Sequence, residues 1–229
     1  MAGYDVLARF YDALGDRADH AAHVRGLIEE HHPGAKTVLE LACGTGSVLK
    51  ELQAHYDVTG VDLSEPMLEL AREKLPGVPL FQGDMTNVQL GETFDVVLCL
   101  FDSVNHLLEF AQWEALFDVA RSHLAEGGLF VFDINTEQRL AGIAAAPATP
   151  EWFGEGNLLL MDVVDEGDGV YLWDVRIFEH VRDAEYRLHV DEIREVSFPR
   201  ERIEASLRKR FAEVTADDAP RVHFVCRAG

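Results

Sequence analysis

Apolar positions along this chain follow one rule up to about residue 135 and another beyond residue 158. In the first part, short unbroken apolar runs alternate with stretches of helical spacing. Residues 38 to 62, VLELACGTGSVLKELQAHYDVTGVD, hold one complete unit. The run over 37–41 predicts a strand, and the turn over 43–46 carries Gly44 and Gly46. Val48, Leu49 and Leu52 recur at helical spacing over 47–55, and 58–61 predicts a second strand that ends on Asp62.

The same grammar extends on both sides. Ala22, Val24, Leu27 and Ile28 predict a helix over 18–31, stopped by Pro33 and Gly34. A helix over 63–75 starts with Ser64 as its cap and Glu65 and Pro66 in its first turn, where an acid and a proline are favoured. Residues 78–82 predict a short strand, and the run over 94–100 one buried on both faces. A helix over 111–125 turns inward Leu116, Val119, Ala120 and Leu124, and Gly127 and Gly128 lead into a fifth strand over 129–134. Strands alternating with helices imply an α/β, Rossmann-like, mostly parallel sheet with helices on both faces and ligands at the carboxyl ends of its strands.

From residue 158 the pattern becomes β-rich. Segments 158–164, 169–180 and 186–197 are separated by hairpin connections and predict an antiparallel meander. It lies in an insertion over 151–198, read as a cap or an oligomer surface within a single domain over 1–229. A helix over 203–210 and strands over 212–215 and 221–226 complete the chain.

Charge narrows the partners. The 41 acids and 20 bases give a net charge of −21, which disfavours nucleic acid and anionic membranes, since both are bound through clustered Lys and Arg. Arg200, Arg202, Arg208, Lys209 and Arg210 are interleaved with Glu201 and Glu204 and read as a solvated helix face. Cys43, Cys99 and Cys226 lie in or beside apolar strands without metal-ligand spacing, as small core residues of a reducing compartment do. The opening residues carry no positively charged leader, and nowhere do 18 apolar residues run together. A cytoplasmic protein without a metal motif, monomeric or homodimeric, is the expectation.

Three details choose among ligands for the glycine turn. The third glycine of the dinucleotide fingerprint is replaced by Leu49, so close approach to a pyrophosphate is not encoded. Glu40 precedes the turn, where it would repel a diphosphate but could accept from the amino group of a methionine moiety. Asp62 fits the acid that takes ribose hydroxyls, which does not by itself separate these ligands. Asp84, after the third strand, either accepts from an adenine amine beside Met85 or forms a turn.

With these residues in place the chain resembles the class I S-adenosylmethionine-dependent methyltransferases, through LELACGTG at 39–46, VDLSEPML at 61–68, QGDM at 82–85, FDVVLCLFDSVNHL at 94–107 and GGLFVFDIN at 127–135. The resemblance implies a seven-stranded sheet with an antiparallel last strand, and S-adenosylmethionine as cofactor. It places Ala42, Cys43, Gly44, Gly46, Leu63 and Leu100 against that cofactor together with Glu40, Asp62, Asp84 and Met85. Ala42 stands where many members carry the first glycine of the turn. The opening YDVLARFYD and the insertion look like a bacterial small-molecule group that includes sugar N-methyltransferases, which implies that Tyr4 and Tyr11 fold over the methionine end. The same tyrosines could instead pack a terminal helix on the sheet.

For the acceptor, the segment after the fourth strand supplies Phe101, Asp102 and Asn105 as substrate contacts and His106 as general base, or as a helix-face histidine with a structural hydrogen bond. Trp152, Phe153, Trp173 and Phe178 are candidate pocket walls or core. The function expected is N- or O-methylation of a small molecule. Alternatives are a nonenzymatic binder of the adenosyl cofactor with a partner-binding insertion, and an NAD-dependent oxidoreductase.

Overall fold

The computed structural model describes residues 8–15 and 18–229. In chain order its elements are α1 (Ala8–Tyr11), α2 (Ala18–His31), β1 (Thr37–Leu41), α3 (Ser47–Leu52), β2 (Asp57–Asp62), α4 (Glu65–Lys74), β3 (Leu80–Gln82), β4 (Phe94–Cys99), α5 (Phe110–Ser122), β5 (Leu124–Asn135) and α6 (Glu137–Ala144). After them come β6 (Glu151–Phe153), β7 (Asn157–Gly167), β8 (Val170–Arg182), β9 (Glu185–Val196), α7 (Arg200–Leu207), β10 (Glu213–Ala216) and β11 (Arg221–Arg227). Two 3₁₀ turns complete the described elements: Asp12–Leu14 after α1 and Ser103–His106 after β4.

Seven strands form one sheet in the order β10-β11-β5-β4-β1-β2-β3, and only β11 runs against the others. The strand order reverses between β1 and β4, so the sheet opens a crevice at their carboxyl ends. Alternate β5 residues explain the unbroken apolar reading: Phe130, Phe132 and Ile134 face one core with α5 and α7, while Leu129 and Val131 face the other with α2, α3 and α4. Trp113 and Phe117 of α5 are fully buried against the first face. Ser64 caps α4 as expected, accepting from Met67 N at 3.4 Å.

β6, β7, β8 and β9 form a separate antiparallel sheet. Phe10 of α1 packs on it with Phe153, Leu159, Val175 and Ile177, and Leu140 of α6 packs on Val163 and Tyr171. Among the described residues no helix is long and apolar enough to cross a membrane.

Three expectations need correction. The helix expected to 125 stops at Ser122, because β5 begins at Leu124 and pairs with Phe94 before its register shifts at Val96. Gly127, at φ +72°, lies in that irregular stretch of strand and does not form the turn into it. The meander has four strands, β6 being too short to show as a run, and α6, capped by Thr136, was not expected.

Candidate functional site

A cleft of about 520 Å³ opens at the carboxyl ends of β1, β2 and β4. Ala42 and Gly44 enter it from the β1–α3 turn, Asp62 and Leu63 from the end of β2, Asp84 and Met85 from beyond β3, and Phe101 and His106 from beyond β4. Tyr11 of α1 and Glu192, Ile193 and Arg194 of β9 complete its wall, so the second sheet shares the cleft with the first. Tyr4 lies outside the described residues.

The glycine turn is built by tertiary bonds. Asp62 accepts from Gly44 N at 2.7 Å through Oδ2 and from Ser64 N at 2.8 Å through Oδ1, tying the turn to the start of α4. A carboxylate has about four acceptor sites, so capacity remains for a ligand hydroxyl. Burial pushes the Asp62 carboxyl up, and the amides of Ser64, Gly44 and Leu63 pull it back. Gly44, at φ +54°, has only Tyr11 Cε1 at 4.0 Å from where a Cβ would stand, so its face is open to a ligand. Gly46 differs from expectation: a Cβ there would meet Leu75 Cδ1 at 2.6 Å and Ala71 Cβ at 3.3 Å. Its missing side chain lets α4 pack on the turn, and Gly46 is not part of the cleft wall. Ala42 holds φ +56°, a left-handed conformation in which glycine is less strained.

Glu40, on β1, is 3% exposed and lies behind the cleft lining, and its Oε2 makes no hydrogen bond among the described residues. Burial, with the charges of Asp62 and Asp133 behind it, raises its carboxyl well above the ordinary range. An uncompensated buried carboxylate is costly, and a cationic group brought beside it removes that cost. Cys43 is buried and its thiol is pushed up by burial and by Glu40 and Asp62, so it stays protonated and is no nucleophile. Neither Cys43 nor Leu100 lines the cleft; both are core residues. Asp84 accepts through Oδ1 from Thr86 N at 2.8 Å and Thr86 Oγ1 at 2.7 Å, so it forms the turn while also lining the cleft.

Beyond β4, Phe101 and Asp102 both hold left-handed backbone, at φ +55° and +52°. Their amides donate to Asp133, at 2.9 Å and 2.6 Å, which maintains this strained pair. Asp102 is paired with Arg221 at 2.7 Å and does not line the cleft. Asn105 is fully buried: it donates to the carbonyls of Asn135 at 2.9 Å and Val196 at 2.8 Å, and accepts from Asn135 N at 3.0 Å. It clamps the 3₁₀ turn to β5 and β9, which corrects the expectation of a substrate contact. His106 Nδ1 lies 3.4 Å from the Arg194 carbonyl, an acceptor only, so Nδ1 donates and the lone pair is on Nε2. Burial lowers its imidazole below the usual range, against the pull of Asp102.

Sequence reasoning missed several members. Burial, with the charge of Asp102 beside it, pushes Glu195 up to about 9. Asp12 accepts from Thr45 Oγ1 at 2.6 Å and Ser47 Oγ at 2.9 Å, and pairs with Lys74, fixing the N-terminal segment on the glycine turn. An acid inside an apolar strand, as in FVFDIN, was the available signal for Asp133. Arg221 and Glu195 lie in ordinary strand sequence and had none. Of the aromatic candidates, Phe153 is core of the second sheet and Trp152 is 64% exposed, and none of the four lines the cleft.

Comparison with known proteins adds an independent line. A family model described as a methyltransferase domain matches residues 38–128. The dTDP-3-amino-3,4,6-trideoxy-alpha-D-glucopyranose N,N-dimethyltransferase of Streptomyces venezuelae is 37% identical over 131 residues, 56% of this chain and 55% of that one. The chain thus spans about half the length of the curated relatives it matches. Among solved structures, Streptomyces venezuelae DesVI superposes with a TM-score of 0.86 at 27% identity over 98% of both chains. SAM-bound CalS10, an amino pentose methyltransferase from Micromonospora echinaspora, does so at 0.83 and 29% identity over 94% of this chain and 92% of its own.

Proposed function

Because the chain carries a methyltransferase domain in the class I S-adenosylmethionine-dependent methyltransferase fold, we propose that it is an enzyme that methylates an amine nitrogen of a small polar molecule. The observation that carries this reading is charge. Asp62, Glu65, Asp84 and Glu192 line the cleft against Arg194, itself paired with Glu166 at 2.8 Å, and Glu40 lies buried behind the turn. Such a cleft attracts cations and repels a diphosphate.

The residues present fit S-adenosylmethionine. Glu40, with its unpartnered oxygen, takes the amino group, Asp62 the ribose hydroxyls, Asp84 and Met85 the adenine, and the bare face of Gly44 admits the close approach. When bound, S-adenosylmethionine supplies a methyl group on positively charged sulfur that an acceptor lone pair takes in line. The chain's contribution is to hold acceptor and donor in line, where positioning alone reaches effective molarities of roughly 10⁵ to 10⁸ M. His106, kept neutral by burial, removes the acceptor's proton. The second sheet acts as a cap, supported by Glu192, Ile193 and Arg194 in the cleft wall. The buried unpaired thiols support a cytoplasmic setting, and the net charge of −21 supports a small-molecule partner over nucleic acid or membrane.

Transfer of labelled methyl from S-adenosylmethionine to a panel of amino sugars and a matched panel of sugar carboxylates tests this. Turnover of the amines is expected. Preference for the carboxylates overturns the reading, and cofactor binding without any transfer favours a nonenzymatic binder.

A further inference from the structure

Beside Phe101, whose ring lies 4.2 Å from that of His20, side chains from three elements converge: His20 of α2, Asp133 of β5 and His223 of β11. One ring nitrogen each of His20 and His223 and an Asp133 oxygen form a set in which all three atoms lie within 4.8 Å of one another. We propose that these three residues bind a divalent transition-metal ion of the zinc type, with water at a fourth position.

Four observations support it. First, the side chains of His20, His223 and Asp133 are only 17%, 11% and 0% exposed; the buried His20 Nε2 meets the Asp133 carboxylate, and the buried His223 Nε2 makes no hydrogen bond among the described residues. Secondly, His20 Nε2 stands 3.3 Å from Asp133 Oδ2. Bonds of about 2.0 to 2.1 Å in a tetrahedral site put neighbouring ligand atoms roughly 3.3 Å apart. Thirdly, His223 Nδ1 lies 3.0 Å from Asp217 Oδ2, which can only accept, so in the neutral ring Nε2 carries the lone pair. A carboxylate behind a histidine in this way orients the ring and makes it a better ligand. The backbone amide of His223 also donates to Asp217, at 3.0 Å, which holds the carboxylate in place.

Fourthly, the local charge accommodates a cation. Arg221 approaches the other oxygen of Asp133, Oδ1, at 3.5 Å, and its charge is already met by Asp102 at 2.7 Å. Asp133, which also accepts the amides of Phe101 and Asp102, and Asp217 supply the negative charge that faces the ion. Two imidazoles and one carboxylate suit zinc, cobalt or nickel over magnesium or calcium, which prefer oxygen alone. His23, one helical turn from His20 with its ring 4.7 Å from that of His223, adds a further imidazole at the rim. An ion here would join α2 to β5 and β11 through the same Asp133 that holds the strained amides of Phe101 and Asp102. It would therefore brace one wall of the cleft without entering it.

The test is titration of the chelator-stripped 229-residue chain with Co²⁺, followed by displacement with Zn²⁺. One equivalent of Co²⁺ is expected to give the intense visible absorption of a tetrahedral site, and Zn²⁺ to bleach it and raise the melting temperature. His20→Gln with His223→Gln should abolish the band, His31→Gln should leave it, and Asp217→Asn should weaken affinity by roughly 10- to 100-fold. Absence of the band, or binding that survives the double substitution, overturns the proposal. If the double variant does not fold, Asp217→Asn decides, and unchanged Co²⁺ affinity there counts against the site.

Discussion

Glu40→Gln separates the cost of a buried acid from its use. Glutamine matches the protonated carboxyl in size and likewise leaves one polar atom without a partner, so the folded, unliganded forms should be nearly equal in energy. The difference lies in ionisation. Burial, with the charges of Asp62 and Asp133, raises the folded-state value well above 4.5. Below 4.5 both folded and unfolded chains are protonated and the residue costs nothing. As the pH rises from 4.5 towards the folded-state value, the unfolded chain ionises while the folded one retains its proton, so stability falls across that window.

Glutamine abolishes that loss, and the unliganded variant should melt no lower than the parent at neutral pH and show a flatter pH profile. Cofactor binding should respond in the opposite direction. Removing a charge-assisted hydrogen bond to the amino group costs about 1.5 to 3 kcal/mol, or roughly 10- to 150-fold in Kd. Since the ammonium stabilises the ionised carboxylate, affinity for S-adenosylhomocysteine should rise with pH in the parent and not in the variant. Calorimetric titration together with thermal melts from pH 4.5 to 8 measures both sides. 5′-Methylthioadenosine, which lacks the amino acid moiety, should bind parent and variant alike. Unchanged S-adenosylhomocysteine affinity would refute the amino-group assignment, and a lower melting temperature at neutral pH would show that Glu40 is ionised and paired in the unliganded fold.

Two further substitutions probe the site. Asp62→Ala removes the acceptor for Gly44 N and Ser64 N along with the ribose contact, and should weaken S-adenosylhomocysteine at least tenfold in the same titration; unchanged affinity removes the ribose assignment. Asn105→Ala strands the Asn135 amide and the carbonyls of Asn135 and Val196, at a cost of about 3 kcal/mol. That corresponds to roughly 6 to 12 °C in melting temperature for a chain of this size. A normal melt with impaired substrate turnover would restore Asn105 to the cleft.

Local patterns in the sequence carried much of this. Thr37–Leu41 is a strand with the expected bounds, Ser64 caps α4, and Ala42, Gly44, Asp62, Asp84 and Met85 all reach the cleft. These follow from apolar runs, capping chemistry and turn residues, which act over a few positions. What escaped depends on contacts between distant segments. Gly46 is needed because Leu75 and Ala71 occupy the space above it, and Asn105 is structural because Val196, far along the chain, offers it a carbonyl. The β9 wall of the cleft exists only because the second sheet folds back over the first, which alternation within 186–197 does not encode.

The central claim is that the cleft holds an adenosyl amino acid and not a dinucleotide. Calorimetric titration of the parent protein with S-adenosylhomocysteine and, separately, with NAD tests it most directly. One equivalent of S-adenosylhomocysteine with no heat from NAD is the expected result; saturable binding of NAD with none of S-adenosylhomocysteine would contradict it.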